Sequence, residues 1–144
     1  MKKWLKGSEN GFTFIELLVV MTIIAVLTAV GVTNFRVANQ KARDGRRQAD
    51  LEQIRAALEL YRSDENDYPT ADIISQDEIV ATGGIVYMED VPDDPVSTNS
   101  YYYSSDGTTY SLCAALELET VDNCSAVGAN CGADSCNYQL NSPL

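Results

Sequence analysis

Residues 17–35 of this chain carry no charged side chain and are dominated by Leu, Val, Ile, Ala and Thr. Nineteen such residues fall within the roughly 17–25 that cross a bilayer as a helix. A chain of 144 residues has room for one modest core besides this run, so the run predicts a membrane-spanning helix. A cleaved secretory signal fits poorly, because its apolar region runs only about 7–15 residues and ends at a small-x-small site. Ahead of it, residues 1–11 set Lys2, Lys3 and Lys6 against Glu9 alone. Positive charge of this kind retains a terminus in the cytoplasm.

Charge divides the remainder. All ten Lys and Arg lie at or before Arg62, whereas residues 63–144 hold fifteen of the 21 acids and no base. So acidic a part repels phosphates and anionic lipid heads, and no nucleic acid binding is expected of it. The absence of histidine removes Ser-His-Asp and Cys-His nucleophile systems and His-dependent zinc sites. No P-loop, dinucleotide fingerprint or nucleophile elbow is present. An enzyme is not expected.

After Arg36 the apolar pattern becomes one-sided. Leu51, Ile54, Leu58 and Tyr61 recur at spacings of three, four and three, which gathers them on one helix face to be buried against a head. Arg46 with Asp50, Arg55 with Glu59, Glu52 with Arg55 and Glu59 with Arg62 are expected as solvated pairs on the other faces. The helix is expected over 12–61, with Gly31 and Gly45 as its bending points. It should stop at the turn-forming Ser63-Asp64-Glu65-Asn66-Asp67-Tyr68-Pro69.

In the head, Ile85-Val86-Tyr87-Met88 reads as a short strand. Tyr101-Tyr102-Tyr103 and residues 109–118 flank Asp106-Gly107 and predict a β-hairpin. Along its second arm Tyr110, Leu112, Ala114, Leu116 and Leu118 alternate with Ser111, Cys113, Ala115 and Glu117, so the first set is expected on the helix. Three strands at most are expected. A core of that size commonly needs disulfides, and Cys113, Cys124, Cys131 and Cys136 all fall in the C-terminal region. The last three are separated by six and four residues, unlike the close pairs of structural zinc sites. Disulfides are expected; three connectivities are open, with Cys113–Cys124 and Cys131–Cys136 preferred.

Glu16 is the anomaly. An ionised carboxylate in a spanning helix costs about 2.5–3.5 kcal/mol or more near the bilayer centre, and less at the interface, unless it finds a partner. No Lys or Arg follows within helical reach. A cut after Gly11 would give Phe12 a free α-amino group one turn before Glu16, on this chain and on every copy. The carboxylate is expected to gain its partner only after such processing and packing.

Gly11-Phe12-Thr13-Phe14-Ile15-Glu16, followed by LLVVMTIIAVLTAV, resembles the class III signal of type IV prepilins and type II secretion pseudopilins. The resemblance implies cleavage after Gly11 by a prepilin peptidase, N-methylation of Phe12, and an assembly role for Glu16, with Thr13 beside it. It further implies an assembly ATPase, a platform membrane protein, and copies of the chain as partners in a helical filament. The precursor would wait as a single-pass protein of the cytoplasmic membrane with its head outside, and the mature form would stand in a cell-surface or periplasmic filament. The resemblance covers residues 1–62 strongly. It covers the head more loosely, through Pro92-Asp93-Asp94-Pro95 and Tyr110-Ser111-Leu112 leading to Leu116-Glu117. Many relatives carry proline where Thr33 stands, so any weak point of the helix would fall to Gly31. Heads of some secretion pseudopilins bind calcium, for which Asp90, Asp93, Asp94, Asp122 and Asp134 are the candidates here. Without EF-hand spacing, solvated loop charge is expected instead.

The expected fold is α+β and pilin-like: a long N-terminal helix, its apolar half protruding and its amphipathic half packed on a small antiparallel sheet, with disulfide-stapled C-terminal loops. The divisions are a leader at 1–11, a transmembrane and polymerisation helix at 12–35, its amphipathic continuation at 36–62, and an acidic head at 63–144. The expected function is a structural subunit of a type IV pilus-like filament, in precursor form, with a pseudopilin of a type II secretion system as the alternative. From other classes come a monomeric membrane-anchored binding module, its ligand met by Tyr101, Tyr102 and Tyr103, and a secreted enzyme behind a signal peptide.

Overall fold

The computed structural model describes residues 11–118, 124 and 128–143. Lys2, Lys3, Lys6, the side chain of Thr33, and Asp122 lie outside the described residues.

Helix α1 runs Phe14–Glu65, continuous through Gly31 and Gly45. It starts two residues later than its apolar pattern because Thr13 stands at the N-cap. It ends later as well, at Glu65, where Asn66 takes φ 67°. The Asn66 N–H donates to the Arg62 carbonyl at 2.9 Å, closing the helix on a residue that tolerates the left-handed region. Beyond Ser63, Asp64 prolongs the last turn and accepts the Tyr87 hydroxyl at 2.8 Å.

The chain divides into two compact units, Met1–Ala38 and Asn39–Leu144. In the described part of the first, the large apolar side chains from Phe12 onward are exposed, Phe14 at 82% and Ile15 at 68%. The hydroxyls of Thr22 and Thr28 donate to the carbonyls of Val19 and Ile24 at 2.7 and 2.8 Å, so these two side chains are satisfied on the helix's own backbone. This segment is long and apolar enough to cross a membrane.

The second unit holds the core. Leu51, Ile54 and Leu58 are fully buried, and Ala57 joins them. Each large aliphatic side chain removed from water contributes about 1.5–3 kcal/mol. Tyr61 is only half-buried and tilts against Tyr87 with ring centroids 5.5 Å apart.

Among the described residues five strands, not three, pack on this face. β1 (Ile79–Val80) and β2 (Val86–Met88) form a separate antiparallel pair. β3 (Tyr102–Ser105), β4 (Tyr110–Ala114) and β5 (Tyr138–Asn141) form an antiparallel sheet in the order β3-β4-β5. The β3–β4 turn is the expected Asp106-Gly107. Gly107 takes φ 90°, and Asp106 Oδ1 accepts the Thr108 and Thr109 amides at 2.9 and 2.7 Å. Those amides, Thr109 first, hold the Asp106 carboxyl at about 2.

β4 ends at Ala114, well short of Leu118, and its far face is not polar. Tyr110, Leu112 and Ala114 belong to the helix-facing core, while Cys113 and Ala115 are buried in a second cluster with Cys131 and Cys136. Leu118 is 41% exposed and covers nothing in the core. The C-terminal segment returns over the sheet, tied by Cys113–Cys124 and Cys131–Cys136. That return turns an alternating strand into one buried on both faces. Gly132 makes the close approach workable: at φ 89° a Cβ there would sit 2.4 Å from the Thr98 carbonyl oxygen.

Candidate assembly site

The first candidate is the start of α1. The Thr13 N–H donates to Glu16 Oε2 at 2.9 Å, the Thr13 hydroxyl donates to the same oxygen at 2.6 Å, and the Glu16 N–H reaches Thr13 Oγ1 at 3.4 Å. This is a reciprocal capping box, Thr-x-x-Glu, which satisfies orphan donors at a helix start. It corrects the expectation that Glu16 lacks a partner before processing: the carboxylate is already bonded within its own chain. The signal lay in the sequence, since Thr13 stands three residues before Glu16. Both bonds fall on Oε2, and they aim the carboxylate at the N-terminal end of the helix, where Phe12 and Gly11 lie.

The second arrangement sits in the second unit and was not foreseen. Arg47 is fully buried. Its Nε and Nη2 meet Asp94 Oδ2 and Oδ1 at 2.7 and 3.0 Å, and its Nη1 meets Asp44 at 2.9 Å and Glu117 at 3.1 Å. Glu117 is also gripped by Arg43 through two bonds of 2.6 Å. Asp44 in turn accepts the Glu117 and Leu118 amides at 2.9 and 3.0 Å. Burial opposes the Arg47 charge, and Asp94, Glu117 and Asp44 more than offset it, so its pKa is raised. The Arg43 guanidinium holds the Glu117 carboxyl at about 2 against an ordinary 4.5. The available signal was positional: Arg47 lies four residues before Leu51, on the apolar face.

The expected solvated pairs survive in part. Arg46 meets Asp50 and Arg55 meets Glu52, each at 3.6 Å. Glu59 and Arg62 instead share the Tyr68 hydroxyl at 2.9 Å each, leaving neither Arg55–Glu59 nor Glu59–Arg62 as an ion pair among the described residues. Asp50 is buried and accepts the Tyr101 hydroxyl at 2.8 Å. Burial and then that bond raise the Tyr101 pKa. Tyr103 is buried too, donating to the Pro69 carbonyl at 2.7 Å. Tyr101 and Tyr103 are thus core members and do not form a ligand-facing aromatic patch. Of the calcium candidates, Asp94 serves Arg47 and Asp134 accepts from Asn99 at 2.9 Å, while Asp90 and Asp93 are exposed. Among the described residues no three His, Cys, Asp or Glu side chains converge to hold a metal.

Comparison with known proteins places these features. Residues 6–32 match the family model described as the prokaryotic N-terminal methylation motif, and residues 34–115 match type II secretion system (T2SS), protein G. The type II secretion system core protein G of Vibrio cholerae is 31% identical over 117 residues, covering 74% of this chain and 77% of the relative. That of Aeromonas hydrophila is 33% identical, covering 46% of this chain and 47% of the relative. The type IV wide pilus major component PilA4 of Thermus thermophilus is 43% identical over 61 residues, 42% of this chain and 47% of the relative. The chain therefore spans about half the length of several relatives it matches. No solved structure matches it. Two thirds of the chain or more align with the Vibrio protein, and the protein G model covers more than half of it, so this chain belongs to the type II secretion system protein G family of pilin-like structural subunits, which are not enzymes.

Proposed function

We propose that the chain is a pseudopilin, a filament subunit of a type II protein secretion machine, with a type IV pilus subunit as the second reading. The observation that carries it is a capped helix whose first unit exposes apolar side chains along its length, directly after the Gly11-Phe12 junction. Such a surface is stable only in lipid or against other apolar helices. The pseudopilin comes first, reversing the order of the sequence-based expectation, because the protein G match extends to residue 115 and so includes β4. The pilus reading is favoured by the 43% identity to PilA4, a higher figure over a shorter segment.

In this proposal a prepilin peptidase cuts after Gly11 and methylates Phe12. Lys2, Lys3 and Lys6 face the cytoplasm beforehand, and the acidic head lies outside. An assembly ATPase and a platform protein then move the subunit from lipid into a filament of its copies, where Glu16 engages the N-terminal amine of a neighbour. The first test is the intact mass of the protein from membranes and from sheared material. Loss of residues 1–11 with a methyl group on Phe12 is the expected result; an intact Met1, or a cut well beyond Glu16, would overturn the proposal. Loss of exoprotein export on deleting the gene supports the pseudopilin reading, and surface fibres with export intact support the pilus reading.

A further inference from the structure

Among the described residues of one subunit, four acids at one place have no ion pair and two cations at another stay largely exposed. At the open end of the β1–β2 ladder, Ile79 pairs with Met88 and the Val91 amide donates to the Asp77 carbonyl at 2.9 Å. Asp77, Glu78, Glu89 and Asp90 therefore leave the ladder at the same end, and all four are exposed. None takes part in an ion pair among the described residues.

The second place is the outward face of α1 within residues 39–65. Ala42, Gly45 and Ala49, at spacings of three and four, share one helix face and are exposed. Lys41 and Arg46 flank this floor. Lys41 is exposed and has no ion pair among the described residues, and Arg46 keeps 60% of its side chain exposed, with Asp50 3.6 Å away. Gly45 is not required by a close approach inside the subunit. A Cβ there would meet nothing within 4 Å, yet glycine lowers helix stability by about 1 kcal/mol relative to alanine. A small floor between two cations suits close approach by an anionic element from outside.

We infer that this helix face docks the acidic β1–β2 ladder end of a second copy, with Lys41 and Arg46 meeting Glu78, Glu89 and their neighbours. The inference rests on the filament reading and adds a head-to-helix contact to the packing of apolar helices. Unlike Asp94 and Glu117, which the helix arginines of the same subunit neutralise, the acidic end has no cationic partner among the described residues. The complementary charge of a neighbouring copy supplies one, and complementary charge sets register between copies.

The test is a charge exchange in the full chain, read as the yield of sheared filaments at equal subunit level. Lys41→Glu with Arg46→Glu is expected to cut the yield about tenfold by placing like charges opposite one another. Adding Glu78→Lys and Glu89→Lys to that variant is expected to restore it to within about twofold of the wild type, because opposite signs face again. As a second readout, filaments carrying Ala49→Cys and Asp90→Cys should form inter-subunit disulfides on oxidation. Wild-type yield from the first variant, no recovery in the fourfold variant, or no cross-link would overturn the docking while leaving the filament reading standing. A wild-type chain that forms no filament at all would overturn both.

Discussion

Arg47 is the residue whose replacement should reveal most about the head. Removing one partner of a buried, fully bonded ion pair leaves the other charge uncompensated. Arg47→Ala is accordingly expected to destabilise the second unit by about 3–5 kcal/mol in thermal or denaturant unfolding of the detergent-solubilised chain. Arg47→Met combined with Asp94→Leu should regain most of that loss, since well-packed apolar replacements of such pairs are often neutral. Loss from the double change equal to that from the single one would show that charge is not what Arg47 supplies. Acid acts on the same cluster. Glu117 has its folded pKa lowered from 4.5 to about 2, so its stabilising contribution is complete above the unfolded value and is lost as pH falls through the folded one. Unfolding midpoints should therefore stay level above pH 4.5 and decline towards pH 2, with a smaller decline in Glu117→Gln. These buried charges were hidden from pattern reading because Arg, Asp and Glu are almost never fully buried unless paired, and the pairing joins residues 47 and 94.

At the scale of elements, the start of α1 separates two roles of one side chain. Glu16→Gln preserves the capping box, since Gln can take the N3 position, but removes the charge. If the carboxylate pairs with the amine of a neighbour, Glu16→Gln should lower filament yield as much as Glu16→Ala while leaving membrane insertion and cleavage intact. Filament yield that tracks capping alone would instead leave Glu16→Gln near the wild type. Thr13→Ala should cost about 1 kcal/mol of helix-start stability, measurable by amide exchange near Phe14. The C-terminal segment offers a backbone test as well. At Gly132, positive φ and the Thr98 carbonyl 2.4 Å from a Cβ make Gly132→Ala destabilising by about 1–3 kcal/mol, seen as a lowered unfolding midpoint. The capping box and the Asp106-Gly107 hairpin were legible because each is a local pattern within a few residues. The two-residue β1 and the four-residue β5 were not, since β1 is too short to show a pattern and β5 has no hairpin turn joining it to its partner β4, from which it is separated by more than twenty residues.

For the whole molecule, the disulfides are expected to govern the C-terminal segment more than the helix. Cys131–Cys136 closes a separation of 5 residues and Cys113–Cys124 one of 11, and the longer loop restrains the unfolded chain more. Cys113→Ser with Cys124→Ser should therefore lower stability more than Cys131→Ser with Cys136→Ser, by amounts within about 2–5 kcal/mol. The protein should show no free thiols in non-reducing mass mapping. Reduction should raise amide exchange around Cys113 and Ala115, the strand face covered by this segment, before it reaches Leu51, Ile54 and Leu58.

The apolar helix, its amphipathic continuation, the acidic and base-free head, the hairpin and the family motif could all be read before any coordinates, because each is written in composition or in short-range spacing. The folded chain alone reveals that β4 is buried on both faces, that Arg47 lies in the core among Asp44, Asp94 and Glu117, and that Tyr101 and Tyr103 face inward. Those outcomes depend on residues tens of positions apart meeting in space. Periodicity reports which face of an element turns from water, whereas the identity of what covers that face, and the charges it brings, is set by how the chain returns upon itself.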